Sequence, residues 1–389
     1  MAKGTRAAIV GIGATEFSKN SGRSELRLAL EAVTAALADA SVSPRDVDGL
    51  VTFAIDNNEV QAVGRNLGLE ELTFFALTAN GGGGGPGTVA LAAMALATGK
   101  ATTVVCYRAM NERSQLRFGR PTAYEGGPAN SHTVDRSWTA PFGLTTPASY
   151  MAQSAQRYLH QYGASSEDFG RVAVVQRKYA NSNPNAFFRD VPLTLTDHQT
   201  SRMISDPLRL FDCCQESDGA VAVVLTTSDR AKNLAHPAVH VVASAMGLGP
   251  RQHGMVSVYR DNIADAPETR IVGRQLWAQS GLQPTDMDVA NIYDHFSCAV
   301  LMQLEALGFC GLGEAPQLIR DGGLEIGGLI PTNTNGGQLS EAYVHGFNGI
   351  TEAVRQLRGT AANQVPNARL ALVTGGSHVP TSGMVLGCD

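Results

Sequence analysis

The chain has 389 residues, 43% of them hydrophobic and 17% charged, with a formal net charge of −5. That length exceeds one simple core and favours two domains or one duplicated domain, and the composition is that of a soluble globular protein with a large interior. The small negative charge offers no polycationic face for nucleic acid, and no apolar run is long enough to span a bilayer.

Met1 to Arg6 lead straight into a strand-like run rather than into the apolar core of a signal peptide, so a cytoplasmic location is expected. Residues 7–13 read as a short buried strand ending in glycines. The run Gly11-Ile12-Gly13-Ala14-Thr15-Glu16 lacks the third glycine and the following helix of a dinucleotide fingerprint. A helix is expected over 24–40, with Ser24 as N-cap and Leu26, Leu30, Val33 and Leu37 as its apolar stripe. Pro44-Arg45-Asp46-Val47-Asp48 then precedes a strand over 49–54. Five consecutive glycines, 81–85, open a helix of small residues, and a strand follows over 102–106. No Gly-Lys-Ser/Thr follows, so the run is not a P-loop. It predicts a backbone that something approaches too closely for side chains.

From about 110 to 212 the alternation of strand and helix stops, and the only helix read there is 147–162. This stretch is expected to be a cap over the core. Its bases Arg117, Arg177, Lys178, Arg189 and Arg202 suit either an anionic ligand, such as the phosphates of coenzyme A, or a solvated face. A buried strand follows at 220–225. The six cysteines form no C-x-x-C pair and no histidine pair has metal-ligand spacing, so reduced, mostly buried thiols and no zinc site are expected.

The second half repeats the first. It shows a strand at 239–243, a helix at about 265–279, Pro284-Thr285-Asp286-Met287-Asp288, and a strand at 289–293. Pro-x-Asp-x-Asp thus stands twice between an amphipathic helix and an apolar run. The helix after Gly87 and its strand correspond to the helix after Gly346 and a strand at 369–374. Such ordered internal similarity predicts a duplicated α/β fold. Its halves are 1–230, with the cap at about 110–212, and 231–389, each a mixed sheet packed through buried central helices. Residues 332–349 are too rich in Gly and Asn for regular structure and form a shaped loop feeding a helix at 350–357. Tyr343 and His345 in this loop are either proton-exchanging groups at a helix N-terminus or parts of a tight turn with a buried tyrosine.

The duplicated pattern resembles the thiolase superfamily over nearly the whole chain, above all its sterol-carrier-type, lipid-transfer branch. The matching stretches are Asp206-Pro207-Leu208, Cys213-Cys214, Ser217-Asp218-Gly219-Ala220, Tyr293-Asp294-His295-Phe296-Ser297, and Asn335-Gly336-Gly337 through Gly346. The family's nucleophilic cysteine falls near Gly84, its Gly-His-Pro histidine at Tyr343, its His-Asp-Cys-Phe motif at Tyr293-Asp294-His295-Phe296, and its second cysteine near Gly375-Gly376. All four catalytic positions have changed, so acyl transfer through a thiolate is not expected.

This set of substitutions resembles the steroid side-chain-cleaving aldolases. The resemblance implies retro-aldol cleavage of a bulky β-hydroxy acyl-CoA to a ketone and a short acyl-CoA. It implies Tyr293 and Tyr343 as the acid/base pair, facing the glycine loop near Gly84, with His295 supporting. Gly83, Gly84, Gly376 and His345 are the implied substrate-binding residues, with the pocket widened by Gly83, Gly84 and Gly85. Asp294, His295 or His345 is the implied proton relay. It further implies no metal and no cofactor in this chain beyond the coenzyme A of the substrate, a homodimer, and a small zinc-containing OB-fold partner completing a heterotetramer. The rival from another class is a non-catalytic lipid or acyl-CoA carrier; a thiolase acting without cysteine is a further one.

Overall fold

The computed structural model describes residues 6–79, 81–115, 117–120 and 131–388. In chain order its strands are β1 (Ala7–Ala14), β2 (Gly49–Phe53), β3 (Phe74–Thr78), β4 (Thr103–Asn111), β5 (Met203–Ser205), β6 (Leu208–Arg209) and β7 (Asp218–Thr227). The second half adds β8 (Val239–Gly247), β9 (Val289–Asn291), β10 (Leu370–Gly375) and β11 (Thr381–Gly387). The helices of the first half are α1 (Glu25–Ala40), α2 (Val60–Leu67), α3 (Gly85–Ala97), α4 (Ser131–Thr139), α5 (Pro147–Tyr162), α6 (Ser166–Ser182), α7 (Leu195–Thr200) and α8 (Ser228–Ala231). Those of the second half are α9 (Pro267–Ser280), α10 (Ser297–Leu307), α11 (Ala315–Arg320), α12 (Gly337–Ser340) and α13 (Phe347–Arg358).

Strands β1 and β8 lie side by side at the centre of one sheet, ordered β3-β2-β4-β7-β1-β8-β11-β10-β9. Outward from β1 the neighbours are β7, β4, β2 and β3. Outward from β8 they are β11, β10 and β9, and Thr332 bridges Ala290 beyond β9. The pairing sense also corresponds: β7 and β11 are antiparallel to both neighbours, while β2 on β4 and β9 on β10 are parallel. The duplication read from the sequence is therefore visible strand by strand.

The repeated Pro-x-Asp-x-Asp has a physical role. Each Pro opens a short turn, Pro44–Asp46 or Pro284–Asp286. The last Asp then accepts the first backbone N–H groups of the neighbouring strand. Asp48 takes those of Thr102 and Thr103 at 2.9 and 2.8 Å, and Asp288 those of Arg369 and Leu370 at 2.8 and 2.9 Å. In both halves a carboxylate thus satisfies donors at the start of a strand, where the ladder alone does not. Gly11 and Gly13 likewise serve packing rather than a dinucleotide: a Cβ on either would stand 2.2 or 2.3 Å from a backbone oxygen of α1.

The stretch expected as a cap is more helical over its described residues 131–212 than the sequence suggested. Helix α6 was missed, although Ser165 and Asp168 form its capping box and Phe169, Val172, Ala173, Tyr179 and Ala180 make its buried face. Its signal is masked by Gln176 and Arg177, which are polar yet buried on that same face. Arg177 donates to Ser340 Oγ at 2.9 Å and to Val191 O at 3.0 Å, so it is a prop beneath α12, not a phosphate anchor. Arg117 pairs with Glu216, Lys178 with Glu325 and Arg189 with Asp190. All six cysteines are free; Cys106 and Cys298 are buried and the other four are half-buried, fewer than expected. Among the described residues no helix is long and apolar enough to cross a membrane.

Candidate active site

Two pieces of irregular backbone build the site. The first is the segment after β9, whose Ile292 N–H donates to Asn333 Oδ1 at 2.8 Å while Asn333 Nδ2 returns a bond to Ile292 O at 2.9 Å. Tyr293 is held at both backbone ends, its N–H on Thr374 Oγ1 at 2.9 Å and its carbonyl under Gln303 Nε2 at 2.7 Å. The second is the Gly/Asn loop. It turns back through positive φ at Gly336 and Gly337, and the Gln338 and Leu339 N–H groups of α12 land on the Asp294 carboxylate. Tyr343 N–H donates to Ser217 Oγ at 3.2 Å. The outcome is that the Tyr293 and Tyr343 hydroxyls stand 3.3 Å apart, on side chains of residues only 3% and 8% exposed.

The glycine loop meets this pair at Gly82, not at Gly84. A Cβ on Gly82 would lie 2.1 Å from Tyr293 Oη, whereas one on Gly84 would point into Phe53 and Thr78. Gly83 and Gly376 face each other, and a Cβ on Gly83 would sit 1.6 Å from Pro380 O. The missing side chains at 83 and 376 therefore let two loops touch, and the one missing at 84 lets the glycine loop pack on β2 and β3, so Gly83 and Gly84 serve packing rather than the expected widening of the pocket. Ser382 locks the contact: its hydroxyl donates to Gly83 O at 2.5 Å and accepts from Gly87 N at 2.9 Å.

Burial pushes both phenols well above their ordinary pKa. Either hydroxyl can be the donor of the bond between them. His295, its ring 5.0 Å from that of Tyr293, is neutral because burial lowers its pKa to about 3, and both its ring nitrogens are without partners. His345 is also held neutral by burial and by Arg108, whose Nε–H donates to its Nδ1 at 3.1 Å. Asp294 is raised to about 6 by burial, against three donors from α12; it anchors the loop, and no hydrogen bond joins it to the phenols.

Five groups escaped the sequence reading: Asp56, Gly82, Arg108, Glu112 and His378. Arg108 was detectable as the lone charge in the buried strand β4. Glu112 follows that strand directly; it is buried, its Oε2 has no partner, and burial holds its carboxyl well above the usual carboxylate range. His378 is buried beside Ser377, and its proximity helps keep His295 neutral. One thiol does lie near the phenols, that of Cys214, but burial and Glu112 push its pKa far above the ordinary value. It is a thiol rather than a thiolate and makes a poor nucleophile. Among the described residues no three His, Cys, Asp or Glu side chains stand close enough to hold a metal ion.

The described site thus offers buried hydroxyls and neutral imidazoles around a glycine loop, a set suited to moving protons and stabilising an oxyanion. Comparisons with known proteins agree with the architecture. Residues 7–229 match the thiolase N-terminal domain and 251–387 the thiolase C-terminal domain-like family. The chain is 57% identical over 383 residues to a steroid side-chain-cleaving aldolase of Thermomonospora curvata, covering 98% of each. It is 57% identical over 382 residues to the 17-hydroxy-3-oxo-4-pregnene-20-carboxyl-CoA lyase of Mycobacterium tuberculosis, covering 98% of this chain and 99% of that one. The solved Ltp2-ChsH2(DUF35) aldolase superposes with a TM-score of 0.95 at 56% identity, over 100% of this chain and 99% of that one. With both family domains matched in order and relatives of this identity aligned from end to end, the chain belongs to the thiolase family.

Proposed function

We propose that the protein is a carbon–carbon lyase that cleaves a steroid side-chain β-hydroxy acyl-CoA by a retro-aldol reaction, giving a ketone and a short acyl-CoA. The observation that carries this reading is the hydroxyl pair of Tyr293 and Tyr343 at 3.3 Å, in a thiolase fold with no thiolate beside it. The relatives named above supply the substrate class.

Retro-aldol cleavage needs one proton taken from the β-hydroxyl, one Cα–Cβ bond broken, and one proton returned to the enolate carbon. A tyrosine pair performs this as a relay. The substrate hydroxyl gives its proton to one phenol oxygen, that phenol passes its own proton to the second, and the second protonates the enolate carbon. Protons balance, the protein's charge is unchanged, and no cofactor in this chain is called upon. Neither phenol has to ionise in the resting enzyme, which suits two groups whose pKa values are raised. His295 supports the pair, while the loops of Gly83, Gly84 and Gly376, with His345, line the thioester end.

The working protein in this proposal is a cytoplasmic homodimer, with halves dividing near residue 230. Strand β3 is an edge strand, and its Phe75 and Leu77 are 67% and 54% exposed. Such an edge is a template for pairing with a second chain. A small zinc-containing OB-fold protein completes a heterotetramer, in keeping with the two-component name of the solved relative. Incubation with a 17-hydroxy steroid acyl-CoA, followed by mass analysis, tests the reading. It predicts equimolar ketone and short acyl-CoA, whereas tight binding without cleavage, with the partner protein present, identifies a carrier.

A further inference from the structure

The proposed chemistry leaves one charge to be stabilised, the oxygen of the thioester enolate. A buried chain of groups outside the tyrosine pair ends beside the glycine loop that the pair faces. Asp56 and Arg108 form an ion pair at 2.8 Å with side chains 0% and 3% exposed. The guanidinium is held further by Nη1 donating to Ala109 O at 2.8 Å and by its position over the Phe53 ring, 5.5 Å from the centroid. Asp56 is itself fixed by Ala109 N–H at 3.2 Å. This leaves Arg108 Nε–H to meet His345 Nδ1 at 3.1 Å.

A guanidinium has donors and no acceptor. Nδ1 of His345 must therefore present a lone pair, and in a neutral ring the proton sits on Nε2. The ring cannot swing away. It stacks on Phe53 at 5.7 Å and 27°, lies 5.7 Å from Phe118, and meets Tyr343 edge-on at 5.1 Å. Nε2 stands 3.2 Å from the place a Cβ on Gly81 would occupy, next to Gly82, which abuts Tyr293 Oη. The Nε2–H and the phenol pair thus flank the same stretch of glycine backbone.

We infer that His345 donates its Nε2–H to the thioester oxygen as the enolate forms, and that Arg108 and Asp56 are the positioning residues that fix it in this tautomer. The inference rests on the lyase reading. A neutral imidazole is the fitting donor, since it polarises a carbonyl without handing over a proton that would leave an imidazolate. Burial and the neighbouring guanidinium both disfavour imidazolium, so the donor stays neutral through the working pH range.

The test uses the full chain and an unreactive steroid acyl-CoA that lacks the β-hydroxyl and carries ¹³C at the thioester carbonyl. Difference infrared spectroscopy should show the carbonyl stretch lowered on binding to wild type and restored toward its solution value in His345→Phe. Affinity should stay within about threefold, while turnover of the true substrate falls a hundredfold or more, the scale of one lost oxyanion donor. Arg108→Gln should reduce the carbonyl shift and slow kcat more than it changes KM, with Arg108→Lys recovering little because its ammonium lacks the Nε–H.

If Arg108→Gln does not fold, ¹⁵N spectra of histidine-labelled wild type decide the same point. Nδ1 of His345 must be unprotonated and Nε2 protonated. The inference is overturned by an Nδ1–H tautomer or imidazolium, or by an undiminished carbonyl shift in His345→Phe. Because the analogue is never cleaved, a carbonyl shift that depends on His345 without turnover of the true substrate would sink the lyase reading alone.

Discussion

Gly82→Ala tests the geometry of the site with one methyl group. A Cβ there would lie 2.1 Å from Tyr293 Oη, 2.5 Å from Cζ and 3.0 Å from Cε1, and ordinary contact begins at 3.4 Å. The phenol oxygen must therefore move by about 1.3 Å (3.4 less 2.1), or the glycine loop must retreat by as much. Retreat is opposed by Ser382 and Pro380 on the far side of the loop, and Tyr293 is pinned at both backbone ends. The 3.3 Å hydroxyl contact is then lost. Misplacement of a reacting group by about 1 Å costs on the order of a hundredfold in rate, and overpacking costs roughly 1–3 kcal/mol of stability. We predict kcat down about a hundredfold, acyl-CoA affinity within a few-fold, and a folded protein with a modestly lowered Tm. Steady-state turnover, calorimetric binding and thermal melts measure the three quantities. The double variant Gly82→Ala/Tyr293→Phe should regain part of the stability and none of the activity, since removing the phenol oxygen relieves the worst contact. Gly82→Ala with turnover within threefold of wild type would show that the loop does not set the position of the tyrosine.

Gly84→Cys should show no acetoacetyl-CoA thiolysis and lower stability, because that side chain points into Phe53 and Thr78 and the position of the partner histidine is occupied by Tyr343. The pH profile of kcat should be flat between about pH 6 and 9, since both phenols are raised above their ordinary value near 10. A rise of tenfold per unit across that range would instead identify a resting phenolate as the base. Glu341 is raised from 4.5 to about 7, chiefly by burial. Its contribution is fully present below the unfolded pKa and is lost as pH rises through 7, so wild type should lose stability relative to Glu341→Gln on going from pH 5 to 8, by on the order of 3 kcal/mol in chemical denaturation. The chain without its small partner should be poorly soluble or poorly active, and equal turnover by the purified homodimer would contradict the proposed assembly.

The duplication was legible because the constraint behind it is local. A Pro turn followed by an Asp that caps the next strand leaves the same five-residue trace in each half. The helix α1 was legible from its cap and stripe; the loop over 332–349 was legible from its Gly and Asn only in part, since α12 and the first residues of α13 lie inside it. Helix α6 was not, because its buried face includes the polar Gln176 and Arg177, and the burial of Arg177 rests on tertiary partners that no periodicity displays. Strand β3 escaped because its outward residues Phe75 and Leu77 are apolar, which blurs the alternation of a half-buried strand. At the site, the two tyrosines were found by correspondence with thiolase motifs, and the structure brings their hydroxyls together. Which glycine faces them was misread by two positions. Spacing along a run of five identical residues holds no information about direction, which here is set by the turn at Gly82–Gly84. Arg108 and Asp56 are far apart in sequence and meet only through the sheet, so their hold on His345 had no sequence trace beyond a lone charge in a buried strand.

Tyr293→Phe and Tyr343→Phe remove the two phenol oxygens with little change in packing. Turnover of a steroid β-hydroxy acyl-CoA by each variant, in the presence of the partner protein, should fall about a hundredfold or more, the usual scale for a general acid or base. Acyl-CoA binding should stay near that of wild type, and the double variant should be little worse than the worse single one, because the two hydroxyls act as one relay. Near-normal turnover in either variant would show that tyrosine to be a packed core residue and would move the proton chemistry to His295 or His345. Near-normal turnover in both would contradict the tyrosine relay altogether.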